Sequence, residues 1–395
     1  MERFMRVVIL LVSLIAVPYI MWQVMRIKGN KNITALENVQ TGKSVSIFEG
    51  NDYALMDVEE YLVYCLPGIV DMGMDDEMLK TMAIIMRTSI YGEMYPELVY
   101  QSPYAEEGGE TGLEVATETD SAMYNLIRNG SCLVNEDSLT EVRYDKSELM
   151  DKWGGSYYTY MNRLCSAVLA TKGQVICYEG MFIVPVYHQV SVGQTVSAQE
   201  IYGKEIPYLQ GTDSKEDITC DGFSVTQVVD GLRIKKLCDL YCEQNPAAYI
   251  DYSKDTSGTN EDSSSADDET KADNGRETTA GDKTTEKGSA DNVDKNTNKE
   301  NEINILEATE HGFVKYVNVF GKTMTGQTFA GVMGLQSANF HIDQVDDGYR
   351  IITIGKGNSL GLSLWGGEAM ARQGRTCDEI IKKYYANVDI VDMAQ

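Results

Sequence analysis

The clearest pattern in the chain is a run of 19 residues without a charge, Val7 to Met25. Its length is close to the roughly 20 apolar residues that cross a hydrocarbon core. Trp22 stands near its end, where interfacial aromatics are common. No small-x-small cleavage site follows Met25, so the run reads as an uncleaved transmembrane anchor with a short cytoplasmic stub, residues 1–31. Beyond it the apolar positions fall into shorter periods. Asp75-Asp76-Glu77 opens a helix in which Met78, Leu79, Met82, Ile85 and Met86 recur at helical spacing. Thr376-Cys377-Asp378-Glu379 has the capping-box spacing and starts a second helix through Ile380, Ile381, Tyr384 and Tyr385. Gln174–Tyr178 and Met181–Tyr187 alternate as strands around Glu179-Gly180. His341–Val345 and Tyr349–Ile354 flank Asp346-Asp347-Gly348 as a hairpin. Helices mixed with antiparallel strands predict an α+β body.

One stretch breaks this patterning. Ser253 to Glu302 holds 14 acidic and 7 basic residues, with Val293 its one large apolar residue. Such a segment cannot bury enough surface to offset the entropy of ordering, so a disordered acidic linker or insertion is expected at 253–302. It separates a first globular part, 32–252, from a second, 303–395.

The whole chain carries a formal net charge of −26. Nucleic acid needs a basic footprint, so it is not an expected partner. Three histidines and eight cysteines without a C-x-x-C predict neither a metal site nor a cofactor. Cys238 and Cys242, four apart, read as one helix face. Gly355-Lys356-Gly357-Asn358-Ser359-Leu360-Gly361 lacks the third glycine of a dinucleotide fingerprint and reads as a tight glycine turn. His188 and Ser191 suggest either a nucleophile pair or, better, a polar wall that hydrogen-bonds a polymer. Lys80 and Arg87, two helical turns apart, are placed to hold an acidic ligand or to pair with Glu77 and neighbouring carboxylates.

Three ordered stretches resemble the stage II sporulation protein D family (SpoIID/LytB, amidase enhancer). Val58-Glu59-Glu60-Tyr61-Leu62 through Glu77–Thr88 is similar to the family's E-x-Y-L…E-A-L-K-A-Q-A-V-x-A-R-T. Trp153, Thr171–Gln174, Tyr178–Gly180, Ser191-Val192-Gly193-Gln194-Thr195 and Pro207-Tyr208-Leu209 resemble A-V-x-x-T-x-G…Y-x-G…S-G-G-x-T…P-Y-L. Gly326 to Tyr385 resembles the L-x-S-x-x-F and G-x-G-H-G-x-G-M-S-Q-x-G-A…M-A-x-x-G…Y-Y ending. The resemblance implies a single-pass membrane protein with an extracytoplasmic body acting on peptidoglycan at the sporulation septum. Charge alone does not set that orientation, since Arg3 and Arg6 precede the anchor and Arg26, Lys28 and Lys31 follow it. It further implies glycan strands as substrate, a cell-wall amidase as partner, and lytic transglycosylase chemistry. One carboxyl group protonates the glycosidic oxygen and then takes a proton from the sugar's C6 hydroxyl.

The chain departs from the family pattern where that carboxyl should be. Ile69 aligns with the family's catalytic Glu, and Asp71, two residues on, is the substitute candidate. Asn358 replaces the His of G-H-G, Ser359 its second Gly, Val192 the first Gly of S-G-G, and Leu364 the Gln. The expected substrate-binding set is Lys80, Arg87, Thr88, His188, Ser191, Gly193, Thr195 and Asn358. No close cysteine pair follows Pro207–Leu209, so the zinc of some relatives is not expected. Three functions remain: a glycan-binding module that supports an amidase with catalysis lost or weak, an active lytic transglycosylase, or an unrelated membrane-tethered scaffold.

Overall fold

The computed structural model describes residues 16, 17, 19, 36, 39–49, 52–100, 132–139, 142–250 and 302–393. The anchor expected at Val7–Met25 lies outside the described residues except for Ala16, Val17 and Tyr19. The acidic segment lies outside them except for Glu302. Among the described residues no helix is long and apolar enough to cross a membrane.

In chain order the elements are β1 (Lys43–Glu49), β2 (Asp52–Asp57), α1 (Val58–Cys65), α2 (Asp76–Met94), β3 (Cys132–Asn135), α3 (Lys146–Trp153), α4 (Tyr157–Ala170), β4 (Gln174–Tyr178), β5 (Met181–Phe182), β6 (Tyr187–His188) and α5 (Ala198–Tyr202). There follow β7 (Ser224–Val229), α6 (Gly231–Gln244), β8 (Ile303–Ala308), β9 (Val314–Val319), β10 (Lys322–Thr325), α7 (Gly326–Met333), β11 (Phe340–Val345) and β12 (Gly348–Ile354). The chain closes with β13 (Leu362–Ser363), α8 (Leu364–Arg372), α9 (Cys377–Tyr384) and β14 (Asp389–Asp392). The body is α+β, as the periodicities predict.

Two compact units emerge. The described residues up to Phe223 combine with those from Ile354 onward into the first. Ser224–Thr353 forms the second, so the acidic segment falls within the second unit's span.

In the first unit α2 is the central element. Met78, Leu79, Met82, Ala83, Ile84, Ile85, Met86 and Ile90 are buried around its circumference, which marks a core helix rather than a surface one. Asp75 caps it by accepting from the Glu77 N–H at 2.9 Å, and Pro96 follows its end. The three-stranded sheet β14-β4-β5 is antiparallel, with Ile390 opposite Ile176. The sequence extends the second strand of this region from 181 to 187. The structure keeps only Met181–Phe182 in the sheet and turns Tyr187–His188 to a different partner. That partner is β13, parallel, with Leu362 opposite Tyr187 and Ser363 opposite His188.

The second unit contains two three-stranded sheets, the antiparallel β10-β9-β8 and β11-β12-β7, in which β11 and β12 are antiparallel, with α6 and α7. The β11–β12 hairpin pairs Val345 with Gly348 across Asp346-Asp347, as the turn residues predict. Cys238 and Cys242 are both buried on α6, and none of the eight cysteines forms a disulfide.

Candidate functional site

The structure separates the nominated residues into three groups. Arg87 and Thr88 are interior residues of α2 with buried side chains. Arg87 and Glu59 have fully buried side chains joined by Nη2–Oε2 and Nε–Oε1 bonds of 2.6 and 2.9 Å. Nη1 donates to the Gln174 carbonyl at 3.0 Å, and Glu59 Oε1 also accepts the Gly173 N–H at 3.0 Å. A buried charge needs this complete pairing to be tolerated. Thr88 donates to the Ile84 carbonyl at 2.8 Å and accepts the Ile176 N–H at 2.9 Å. Both side chains tie α2 to neighbouring backbone.

Lys80 and Asp71 are at the periphery. Lys80 pairs with Glu77 at 2.6 Å, the neighbouring-carboxylate alternative noted above. That hydrogen bond raises the lysine above its ordinary value. Glu77 is pushed up by partial burial. The Lys80 bond and the Cys377 N–H outweigh that and hold it below the usual carboxylate range. Asp71 is exposed, and its Oδ1 accepts the Gly73 N–H at 2.7 Å in a tight Asx turn. Ile69 is half-buried at the end of the short Leu66–Gly68 turn.

His188, Ser191, Gly193, Thr195 and Asn358 converge. The β6–β13 pairing brings the loop after Tyr187 against the glycine turn at 355–361, although the two are far apart in sequence. Gln189 and Val190 donate to the Lys356 carbonyl at 3.1 Å, and the Val196 N–H donates to Ser359 O at 2.9 Å. Two glycines make this approach possible. A Cβ on Gly357 (φ +109°) would stand 2.7 Å from His188 Cβ, and one on Gly361 (φ +62°) 2.1 Å from Val186 O. Ser359 holds φ +57° between them, a conformation that costs a non-glycine residue free energy and is retained only when its surroundings enforce it.

His188 is buried. Its Nδ1 lies 2.9 Å from the Leu360 carbonyl. A carbonyl only accepts, so Nδ1 carries the proton and Nε2 presents a lone pair. Burial lowers the imidazole to about 4, so it is neutral near pH 7. Nε2 has no hydrogen-bond partner, and neither has the buried hydroxyl of Ser359. Two unspent buried polar atoms, one on β6 and one in the turn packed against it, are unusual in a protein interior. Asn358 spends its side-chain oxygen on the Leu360 N–H at 3.1 Å. Thr195 Oγ1 accepts the Thr212 N–H at 2.9 Å, and Ser191 Oγ accepts the Gly193 N–H at 3.2 Å.

Beneath this junction lies a carboxylate that the sequence pattern did not single out. Asp217 is fully buried and accepts the Ser191 N–H and the Ser363 hydroxyl, both at 2.8 Å. Ser363 caps α8 by accepting the Gly366 N–H at 3.2 Å. Ser214 and the Tyr384 hydroxyl lie 2.9 Å apart beside it. Asp217 thus joins three segments distant in sequence. Ser363 is readable as an N-cap, but nothing local marks Asp217. A second buried carboxylate, Glu368 on α8, accepts the Asp75 N–H at 2.8 Å and pairs with Arg372. Among the described residues no group of three or more His, Cys, Asp or Glu is arranged to hold a metal ion.

Comparison with known proteins gives consistent matches. The family model described as SpoIID, stage II sporulation protein, matches residues 50–178. That span includes Ile69, Asp71, Lys80, Arg87 and Thr88 and ends before His188. Stage II sporulation protein D of Bacillus subtilis (strain 168) is 24% identical over 333 residues, covering 84% of this chain and 74% of the relative. The protein of the same name from Bacillus amyloliquefaciens is 22% identical over 349 residues, covering 88% and 78%. An uncharacterised protein of Brachyspira hyodysenteriae is 23% identical over 276 residues, covering 69% and 58%.

Proposed function

The chain is a divergent member of the stage II sporulation protein D family, and from that premise we propose that it binds peptidoglycan glycan strands and supports a cell-wall amidase, with its own glycosidic cleavage weak or lost. Membership carries a cell-wall-related role in sporulation. The finer reading places the body outside the membrane, tied to it by the apolar run Val7–Met25.

One observation favours binding over cleavage. The motif resemblance puts Ile69, which has no proton to give, at the position of the family's catalytic Glu. A general acid for a glycosidic bond works best from a partly buried carboxyl whose pKa is raised. Asp71, the nearest substitute, is instead exposed and engaged in a turn with Gly73. Asp217 and Glu368 spend both oxygens on the fold. Where the 188–195 segment meets the turn at 355–361, His188, Ser191, Thr195 and Ser359 are buried, and the exposed or half-exposed polar positions are Gln189, Gln194, Lys356 and Asn358; none of these is an acid, which suits retention of a neutral polymer.

The test incubates the full chain in detergent with peptide-free glycan strands. The protein is expected to sediment with the strands, release no anhydro-ended sugars, and speed stem-peptide release when a wall amidase is added. Anhydro ends that vanish in Asp71→Ala would establish the lytic transglycosylase instead.

A further inference from the structure

From Ser359 to Glu368 every residue is buried but one, and the exception is the largest, Trp365. It is 39% exposed at the start of α8. A large aromatic kept part-exposed within an otherwise interior run forgoes some of the stabilisation that full burial would give. Polar need does not explain its position. Its backbone N–H donates to Gln189 O at 3.1 Å, and its indole Nε1–H donates to Glu216 O at 3.1 Å. With both donors spent, what the side chain presents outward is ring surface. These two bonds also fix its orientation against the His188–Thr195 loop and the turn that carries Asp217.

The surroundings mix apolar and polar groups. Gln189 is exposed and Glu216 half-exposed. Ile218, two residues past Glu216, is 54% exposed and packs over the bare Gly193, where a Cβ would stand 3.0 Å from its Cδ1. Gln189 and Glu216 hold Trp365 through their backbone carbonyls, so the ring has an amide-bearing and a carboxylate-bearing residue as its immediate neighbours, a mix that matches the two-sided chemistry of a pyranose, with its C–H face and rim of hydroxyls. A nucleobase also stacks on indole, but its phosphates would meet Glu216 on a chain of net charge −26.

We propose that Trp365 is the stacking platform of a saccharide subsite, taking the apolar face of an N-acetylhexosamine ring while Gln189 and Glu216 face its polar rim. The proposal rests on the reading that this chain binds wall glycan.

The experiment uses the full chain in detergent with peptide-free glycan strands and, as a small probe, N-acetylglucosamine tetrasaccharide. Trp365→Ala is expected to weaken binding about tenfold, and Trp365→Tyr to stay within about threefold of the parent. In a Trp22→Phe, Trp153→Phe background the remaining emission reports on Trp365 alone, and it should shift to the blue as sugar covers the ring. That optical readout needs no change at position 365, so it holds even if Trp365→Ala fails to fold. If the parent binds strands while Trp365→Ala binds equally well, or if saturating sugar leaves the emission unmoved, the platform is refuted and glycan binding stands. If the parent binds neither strands nor tetrasaccharide, the functional reading falls and the platform falls with it.

Discussion

The first unit holds two polar clusters that look alike in sequence and differ in structure. Around Arg87 and Glu59 the polar atoms are paired with one another or with backbone, and both side chains are wholly buried. Around His188 the pairing stops short: Nε2 and the Ser359 hydroxyl are unspent, Ser359 sits at positive φ, and Trp365 is left in solvent. The first cluster is finished by the fold alone. The second keeps features that folding does not account for, and such places are where function is expected to reside.

The sharpest way to break this contrast is to remove one charge from the finished cluster. Arg87→Met should destabilise the chain by about 3–5 kcal/mol, because Glu59 is then a buried charge without a partner. Replacing both residues with apolar ones should cost less than the single change. Denaturant unfolding of the parent and the two variants checks this. A double variant that loses as much as Arg87→Met, or more, would refute the idea that an unpaired Glu59 carries the cost.

Acid should act on the other cluster. Folded His188 is neutral, lowered by burial from 6.5 to about 4. Between these values the unfolded chain binds more protons than the folded one, so stability falls as pH falls through that window. The full loss is about 3 kcal/mol by pH 4. A His188→Gln variant should lose this part of the pH dependence. Stability curves of parent and variant between pH 7 and 4 that run parallel would refute it.

The smallest effect is expected at Lys80. Its pair with Glu77 is part-exposed, and such pairs contribute about 1 kcal/mol or less. Lys80→Ala should leave both unfolding and glycan sedimentation nearly unchanged. A large loss of glycan binding would return Lys80 to the substrate-binding set.

Much of the local structure was legible in advance. Asp75 at the start of α2 and the Thr376–Glu379 capping box follow from side chains bonding their own backbone within a few residues, and the Asp346-Asp347 turn from turn-forming residues between two strands. The glycine turn at 355–361 was legible for the same reason, since positive φ at Gly355, Gly357 and Gly361 is a property of the residue type. The site was legible only in part. His188, Ser191, Gly193, Thr195 and Asn358 do meet. Arg87 and Thr88, equally polar on paper, belong to the core, and Asp217 gave no local sign at all.

By itself, then, the sequence determined which segments coil, which pair as hairpins, where glycine is required, and that an apolar run and an acidic tract flank or interrupt the body. Those properties depend on groups a few residues apart. Only the tertiary structure decided which polar side chains are framework and which remain available, because that depends on partners brought from far along the chain. Glu59 reaches Arg87 across 28 positions, and Asp217 reaches Ser363 across 146. The stability of a buried charge or hydroxyl is set by those distant donors and acceptors, not by its neighbours in sequence.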